Sequence, residues 1–406
     1  MSDLDKLLNN IKIVYDRKEN INKLLAEISK SSRGESSREE SSREEMSTLK
    51  SAPSQSMENI NRKCIESNIK YNDKSIEDII FLHNNLEAIY KNNNFIEKLK
   101  KQKGSILDDD TLKIMDEFKN IVGSSEIKLL GKGGQGSAYS ISDNIVYKTA
   151  TTTYLDKEYK EAEIMNLIYN MITKEYRNPK FPLFTLPIVY YAQEIKDVDS
   201  KINKVNLFME KLDTTVDKHI RENTNDVEKH MRYIMLQVIS GLWSLCQGYG
   251  GKGILRLDCK LDNLMIKKID GSKKLYFQIF NKCICIDNLG YLVKHIDFGI
   301  STIFEHNNNK EIIIRKFAEG LYDFYNKLGS VVFMLDKYTD DDKTNEEYTK
   351  FRNKNPIPQI LTGFSDVKLE VLKTTLANMI TKLAQSSDTC ETTIIDYPYE
   401  LFQKSS

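Results

Sequence analysis

The sequence predicts an α+β fold behind a helical N-terminal region. Apolar residues recur at helical spacing up to about residue 120. Short β-type runs broken by glycines begin after residue 125. Long amphipathic runs fill most of the remaining chain, interrupted by strands around residues 253–297.

At 406 residues the chain has room for two or three domains or one large bilobed one. Its formal net charge is +0, so nothing in the overall balance points to nucleic acid or to a membrane surface as partner. No apolar run approaches the roughly 20 residues that cross a bilayer. The first residues, MSDLDKLLNN, lack a basic-then-apolar leader, and the expected location is intracellular, in the cytoplasm. The 6 cysteines show no secreted disulfide pattern. Cys283 and Cys285 form a C-x-C on a strand-like run, and they read as small buried hydrophobes in a reducing compartment.

Five segments are expected. Residues 1–30 place Leu7, Ile11, Val14, Ile21, Leu25 and Ile28 on a helical seam that Lys18 interrupts, with Ser2 and Asp3 as caps. That seam suits either self-association through residues 2–29 or packing on the protein's own body. Residues 31–58 open with variants of the unit Ser-Ser-Arg-Glu-Glu, which hold no apolar group to offset the entropy of ordering, so a linker is expected. Residues 59–120 read as helices; "SIEDIIFLHNNLEAIY" puts Ile76, Ile79, Ile80, Leu86 and Ile89 on one face behind Ser75, and "DDDTLKIMDEFKNIV" repeats the pattern. Residues 121–210 and 211–406 carry the chemistry.

"GKGGQG" spaces Gly131, Gly133 and Gly136 as G-x-G-x-x-G between two strands rather than between a strand and a helix. Such a turn forms a flap whose backbone amides can lie over phosphates, although a plain glycine-rich hairpin has the same pattern. Lys148 ends the run "NIVYK" beside apolar neighbours and needs an anion. The helix after it offers Glu158, Glu161 and Glu163, of which Glu161 lies at the edge of the apolar face. In "GILRLDCKLDNLMI", Asp258, Lys260 and Asn263 stand in an apolar stretch where unpaired burial would be costly. Downstream, "HIDFGI" closes another apolar strand with Asp297-Phe298-Gly299. Two carboxylates, an amide and a cation at strand–loop junctions suit metal-assisted phosphoryl transfer.

Taken in order, these motifs make residues 125–335 resemble the protein kinase family, serine/threonine type. The resemblance implies a bilobed fold, a small antiparallel β-sheet lobe (121–210) and a larger helical lobe (211–406), using ATP and Mg²⁺ or Mn²⁺. It implies catalytic roles for Asp258 and Lys260, metal binding by Asn263 and Asp297, and phosphate binding by the glycine loop and by Lys148 held by Glu161. Met209 would guard the adenine pocket, with backbone groups of Glu210 and Leu212 holding the base. The expected activity is transfer of the γ-phosphate of ATP to Ser or Thr of a protein substrate. A catalytically dead scaffold and a small-molecule kinase are the alternatives.

The chain departs from the family in places. His-Arg-Asp reads Arg256-Leu257-Asp258, and Leu257 cannot grip an activation-loop phosphate, so switching of that kind should be absent. The run 267–291 adds a hairpin expected to be surface decoration. No Ala-Pro-Glu comes after Asp-Phe-Gly; "FAEG", 317–320, is the nearest remnant, and Asp323 looks like the Asp that supports the catalytic loop. So reduced a form is similar to kinases of large DNA viruses, which would suit host cytoplasm or a virion, and the wealth of Asn, Lys, Ile and Tyr suits an AT-rich genome.

Overall fold

The computed structural model describes residues 76–92, 128–132, 136–152, 160–174, 185–197, 202–222, 226–270, 274–279, 282–335, 342–356, 361, 363–385 and 395–396. All of them belong to one compact unit, Pro53–Ser406. The seam of residues 2–29, the Ser-Arg-Glu run, Ser75, residues 108–122, Gly133 and Glu158 lie outside the described residues.

Helix α1 (Ile76–Asn92) buries Ile76, Ile79, Leu82 and Leu86, a three-and-four spacing that forms one stripe. Ile80, expected on that stripe, is instead exposed, and Leu82 takes part in the burial. The stripe packs on β4 (Val189–Asp197) and α2 (Glu161–Lys174). His83 fixes the docking: its ring stacks on Tyr169 at 4.3 Å, and its Nδ1 bonds the carbonyl of Tyr190 at 2.9 Å.

Strands β1 (Lys128–Lys132), β2 (Gly136–Ser140), β3 (Ile145–Thr152), β4 and β5 (Ile202–Glu210) form one antiparallel sheet in the order β1-β2-β3-β5-β4. Strand β3 runs past Lys148 to Thr152, so the lysine sits within the strand and not at its end. Helix α2 carries buried Ile164, Met165, Ile168, Met171 and Ile172 along the face it turns to β4.

After a short β6 (Thr214–Thr215) and α3 (Val216–Glu222), helix α4 (Val227–Gln247) is buried along nearly its whole length, as befits a helix surrounded by other elements. Gly248 ends it at φ +58°, where a Cβ would collide with the carbonyl of Lys252. Then come β7 (Lys252–Leu255), a 3₁₀ turn at Leu261–Asn263, β8 (Leu264–Lys268), β9 (Lys274–Ile279), β10 (Lys282–Asp287), β11 (Tyr291–His295) and β12 (Thr302–Glu305). Strand β8 pairs with β6 and β11, and β7 with β12. Helices α5 (Lys310–Leu335), α6 (Asp342–Lys354) and α7 (Leu369–Gln385) and a short β13 (Ile395–Asp396) follow among the described residues; β13 pairs with β10.

One further sequence expectation changes here. The β9–β10 hairpin is not decoration: Leu275, Ile279, Ile284 and Ile286 are buried in the same apolar cluster as α4, α5 and α7. "FAEG", the nearest remnant of Ala-Pro-Glu, lies inside α5, with Phe317 and Ala318 fully buried. The apolar core falls into two clusters, one around α4, the other around the five-stranded sheet, α1 and α2. The second also takes in Leu245, Ile254 and Phe298, so it reaches beyond residue 210, where the sequence suggests a boundary. Among the described residues no helix is long and apolar enough to cross a membrane.

Candidate active site

Strand β3 and helix α2 place Lys148 and Glu161 side by side. Lys148 lies opposite Leu207 of β5 in the middle of the sheet, and Glu161 begins α2 with its side chain fully buried. The ammonium donates to Glu161 Oε1 at 2.9 Å and to Asp297 Oδ1 at 3.3 Å. Glu163, the other described acid of this helix end, is exposed. Burial disfavours the charge on Lys148, but the two carboxylates beside it outweigh this and push its pKa up to about 12. Burial likewise acts to raise Asp297, yet Lys148, Arg256 and the Gly299 N–H together hold its carboxyl below the ordinary range. Both groups therefore stay charged across neutral pH.

The loop after β7 is held from within. Asn263 donates its Nδ2 to Asp258 twice, to the backbone carbonyl at 2.9 Å and to Oδ2 at 3.1 Å. Lys260 Nζ lies 3.2 Å from the same Oδ2. The N–H of Cys259 donates to Asp323 Oδ2 at 3.3 Å, which is the support expected of that α5 residue. The N–H of Ile296 donates to Asn263 O at 3.0 Å, so this loop and the Asp297 turn are joined directly. Asp258 and Asp297 both adopt left-handed backbone angles, φ 58° and 59°. Side chains bearing a Cβ rarely accept that region, and such strain collects where a structure must aim a group. Two of the four non-glycine residues that do so among the described residues are these aspartates; the others are Asn307 and Asn308.

Arg256, to which the sequence alone assigns no role, supplies the clamp. Its guanidinium is buried and donates to the carbonyls of Asp297 and, at 2.6 Å, Ile296, and to Ser301 Oγ at 3.2 Å. It also lies over the Phe298 ring at 4.6 Å. A cation in "GILRL" is itself a signal, since a buried charge must find acceptors. Lys327 of α5 is a second group that the motifs do not reveal: its Nζ is 3.3 Å from Asp258 Oδ1.

The glycines divide. A Cβ on Gly136 would collide with the carbonyl of Thr149 on β3, so glycine is required there by the sheet itself. Gly131 has open space around it and sits next to an irregularity in the β1–β2 register between Leu129 and Gly131.

At the end of β5, Met209 is buried opposite Val146 and Val189. The N–H of Glu210 is taken by Ile188 O at 2.9 Å, so of its backbone groups a ligand has only the carbonyl. The Leu212 N–H has no partner among the described residues. The Glu210 carboxylate accepts the Ile188 N–H at 2.8 Å and meets Lys294 Nζ of β11 at 3.1 Å, and Lys294 also donates to Leu186 O at 3.0 Å. This ion pair is almost wholly buried, and it ties β11 to the end of the five-stranded sheet.

Among the described residues no group of three or more His, Cys, Asp or Glu converges as a metal cluster. Magnesium is commonly held by one or two protein ligands plus phosphate oxygens and water. The residues here fit that pattern. Asn263 spends its amide nitrogen on Asp258, which leaves Oδ1 as the atom it could offer a cation, and the Asp297 side chain is half exposed.

No family model matches the chain. No curated protein matches it either. Among solved structures it is similar to one titled "WaaP in complex with acyl carrier protein", at TM-score 0.32 and 10% identity, covering 68% of this chain and 98% of that chain. A TM-score of that size assigns no fold, and the chemistry rests on the chain's own residues.

Proposed function

We propose that the protein is an ATP-dependent kinase with a bilobed, protein-kinase-like fold that transfers the γ-phosphoryl group to Ser or Thr hydroxyls of a protein. The observation that supports this most is the position of Lys148, within reach of both Glu161 and Asp297, residues that the chain brings together from a helix and a distant loop. Lys148 presents its charge to the nucleotide phosphates. Asn263 and Asp297 hold Mg²⁺ or Mn²⁺, which would neutralise charge on the phosphates when bound. Met209 and the backbone of Glu210 and Leu212 border the adenine, and the β1–β2 turn covers the phosphates. Asp258 orients the acceptor hydroxyl and takes its proton as the oxygen bonds to the γ-phosphorus. The bond from that phosphorus to the β–γ bridging oxygen breaks, and ADP leaves. Lys260 neutralises charge on the moving group.

The Arg256 clamp supports an enzyme that needs no activation-loop phosphate, because the Asp297 turn is already fixed from inside. The test is incubation of the full chain with labelled ATP, Mg²⁺ or Mn²⁺, and casein or histone. Transfer to protein is expected, with a loss of at least ~100-fold in Asp258→Ala and nearly unchanged activity after phosphatase treatment. ATP binding without transfer would select a scaffold instead. The short chain between Gly299 and α5 favours one second reading, a small-molecule kinase, which transfer to small hydroxyl compounds alone would select.

A further inference from the structure

From Lys327 and the path of the chain after Gly299, we infer that the acceptor carries an acidic group next to its hydroxyl: a Ser or Thr flanked by Asp or Glu. This rests on the kinase reading and deepens it. After Gly299 the chain turns back. Strand β12 pairs antiparallel with β7, Thr302 opposite Leu255 and Glu305 opposite Lys252, so it runs away from Asp258. The N–H groups of His306 and Asn307 then donate to Gly251 O at 2.9 and 3.1 Å, and α5 starts at once at Lys310. No part of this segment returns across the acceptor side of Asp258. What meets Asp258 there is α5 itself.

Asp323 and Lys327 are four residues apart and share one face of that helix. Asp323 is committed to the Cys259 N–H, whereas Lys327 reaches Asp258 Oδ1. The other oxygen, Oδ2, is occupied by Asn263 and Lys260. A hydroxyl that donates to Asp258 therefore enters at Oδ1, against the Lys327 ammonium. That side chain is 40% exposed, and among the described residues Asp258 is its only ionic partner. In the proposed transfer Lys260 turns to the moving phosphoryl group, which leaves Lys327 as the cation beside the acceptor. With no peptide platform from the preceding segment, recognition is short-range, and a carboxylate next to the hydroxyl is the group that pairs with Lys327.

The test uses the full chain, Mg·ATP and serine peptides of equal length flanked by Glu, by Ala or by Lys, read as the ratio of kcat/KM values within each protein variant. The Glu-flanked peptide is expected to exceed the Ala-flanked one by about fivefold, the upper end for a half-exposed ion pair, and the preference should shrink as salt rises. The ratio should fall to about one in Lys327→Ala, invert in Lys327→Glu and persist in Lys327→Arg. A wild-type ratio near one, or a ratio that Lys327→Ala leaves unchanged, overturns the inference while transfer itself still stands. Transfer to a phosphorylated small alcohol such as glycerol 3-phosphate, with every peptide refused, overturns the polypeptide acceptor. No transfer to any acceptor, with self-phosphorylation also absent, overturns the kinase reading and this inference with it.

Discussion

Replacing Asp297 with asparagine is expected to lower phosphoryl transfer by at least ~100-fold, the scale of losing a preorganised charge at a developing transition state. Asparagine is the informative change, because it tolerates the left-handed backbone angle that Asp297 adopts and keeps the side chain's shape. The main-chain carbonyl that Arg256 grips is untouched by it. The variant should therefore remain folded, and the loss should persist in kcat at saturating Mg·ATP, beyond any weakening of nucleotide binding. The salt bridge to Lys148 contributes little to stability on its own, since the Asp297 carboxylate is half exposed, and Lys148 retains Glu161 at 2.9 Å. A melting temperature within a few degrees of wild type, together with the kinetic collapse, is the expected pair of results. Full activity in the variant would mean that Asp297 holds no metal.

The largest expected effect on stability comes from a different cation. Lys294→Met should destabilise the protein by about 3–5 kcal/mol in urea unfolding, the usual cost of leaving a buried charge without its partner. Glu210 is the group left behind. It is almost fully buried, and its remaining bond is to the Ile188 N–H. Adding Glu210→Gln to Lys294→Met should recover most of the loss, because glutamine retains an oxygen for Ile188 and carries no charge. A loss under about 1 kcal/mol in the single variant would show that water reaches the pair and that the buried geometry is wrong.

Much of the site is legible in the sequence, because its signals are local. A glycine turn between strands, a lysine in an apolar strand and polar groups in an apolar loop each announce themselves within a few residues. Lys148 and Glu161 can be matched because only thirteen positions separate them, on adjoining elements. Asp258 and Asn263 sit in one loop. The three groups not foreseen all act across long sequence separations. Arg256 finds carbonyls some forty residues on, Lys294 finds Leu186 more than a hundred back, and Lys327 finds Asp258 from a helix in a later part of the chain. Arg256 and Lys294 nonetheless fall under the rule used for Asp258, that a polar group in apolar surroundings needs a partner; Lys327, 40% exposed, does not. "GILRL" and "YLVKH" could be questioned in the same way.

The fold is less legible where a run can be read either as surface or as core. The β9–β10 hairpin carries consecutive apolar runs, Leu275-Tyr276-Phe277 and Cys283-Ile284-Cys285-Ile286, but charged residues at its ends; its contact with α4 shows that it belongs to the core. "FAEG" resembles Ala-Pro-Glu in its letters alone, while its neighbours Ile313, Ile314, Leu321 and Phe324 continue a helical stripe on both sides. Helix α1 is foreseen from its spacing, but its docking on β4 and α2 depends on His83, Tyr169 and Tyr190, which no periodicity connects.

The central claim is that Lys148, Asp258, Asn263 and Asp297 serve one nucleotide and its divalent ions. Calorimetric titration of ATP into the full chain, with Mg²⁺ and with EDTA, tests it most directly when run on wild type, Lys148→Met, Asp297→Asn and the double variant. The account predicts one Mg²⁺-dependent site, weakened by either change, with the two effects departing from additivity by at least ~0.5 kcal/mol because the side chains touch. ATP binding that is indifferent to Mg²⁺, or that survives both substitutions, would contradict it.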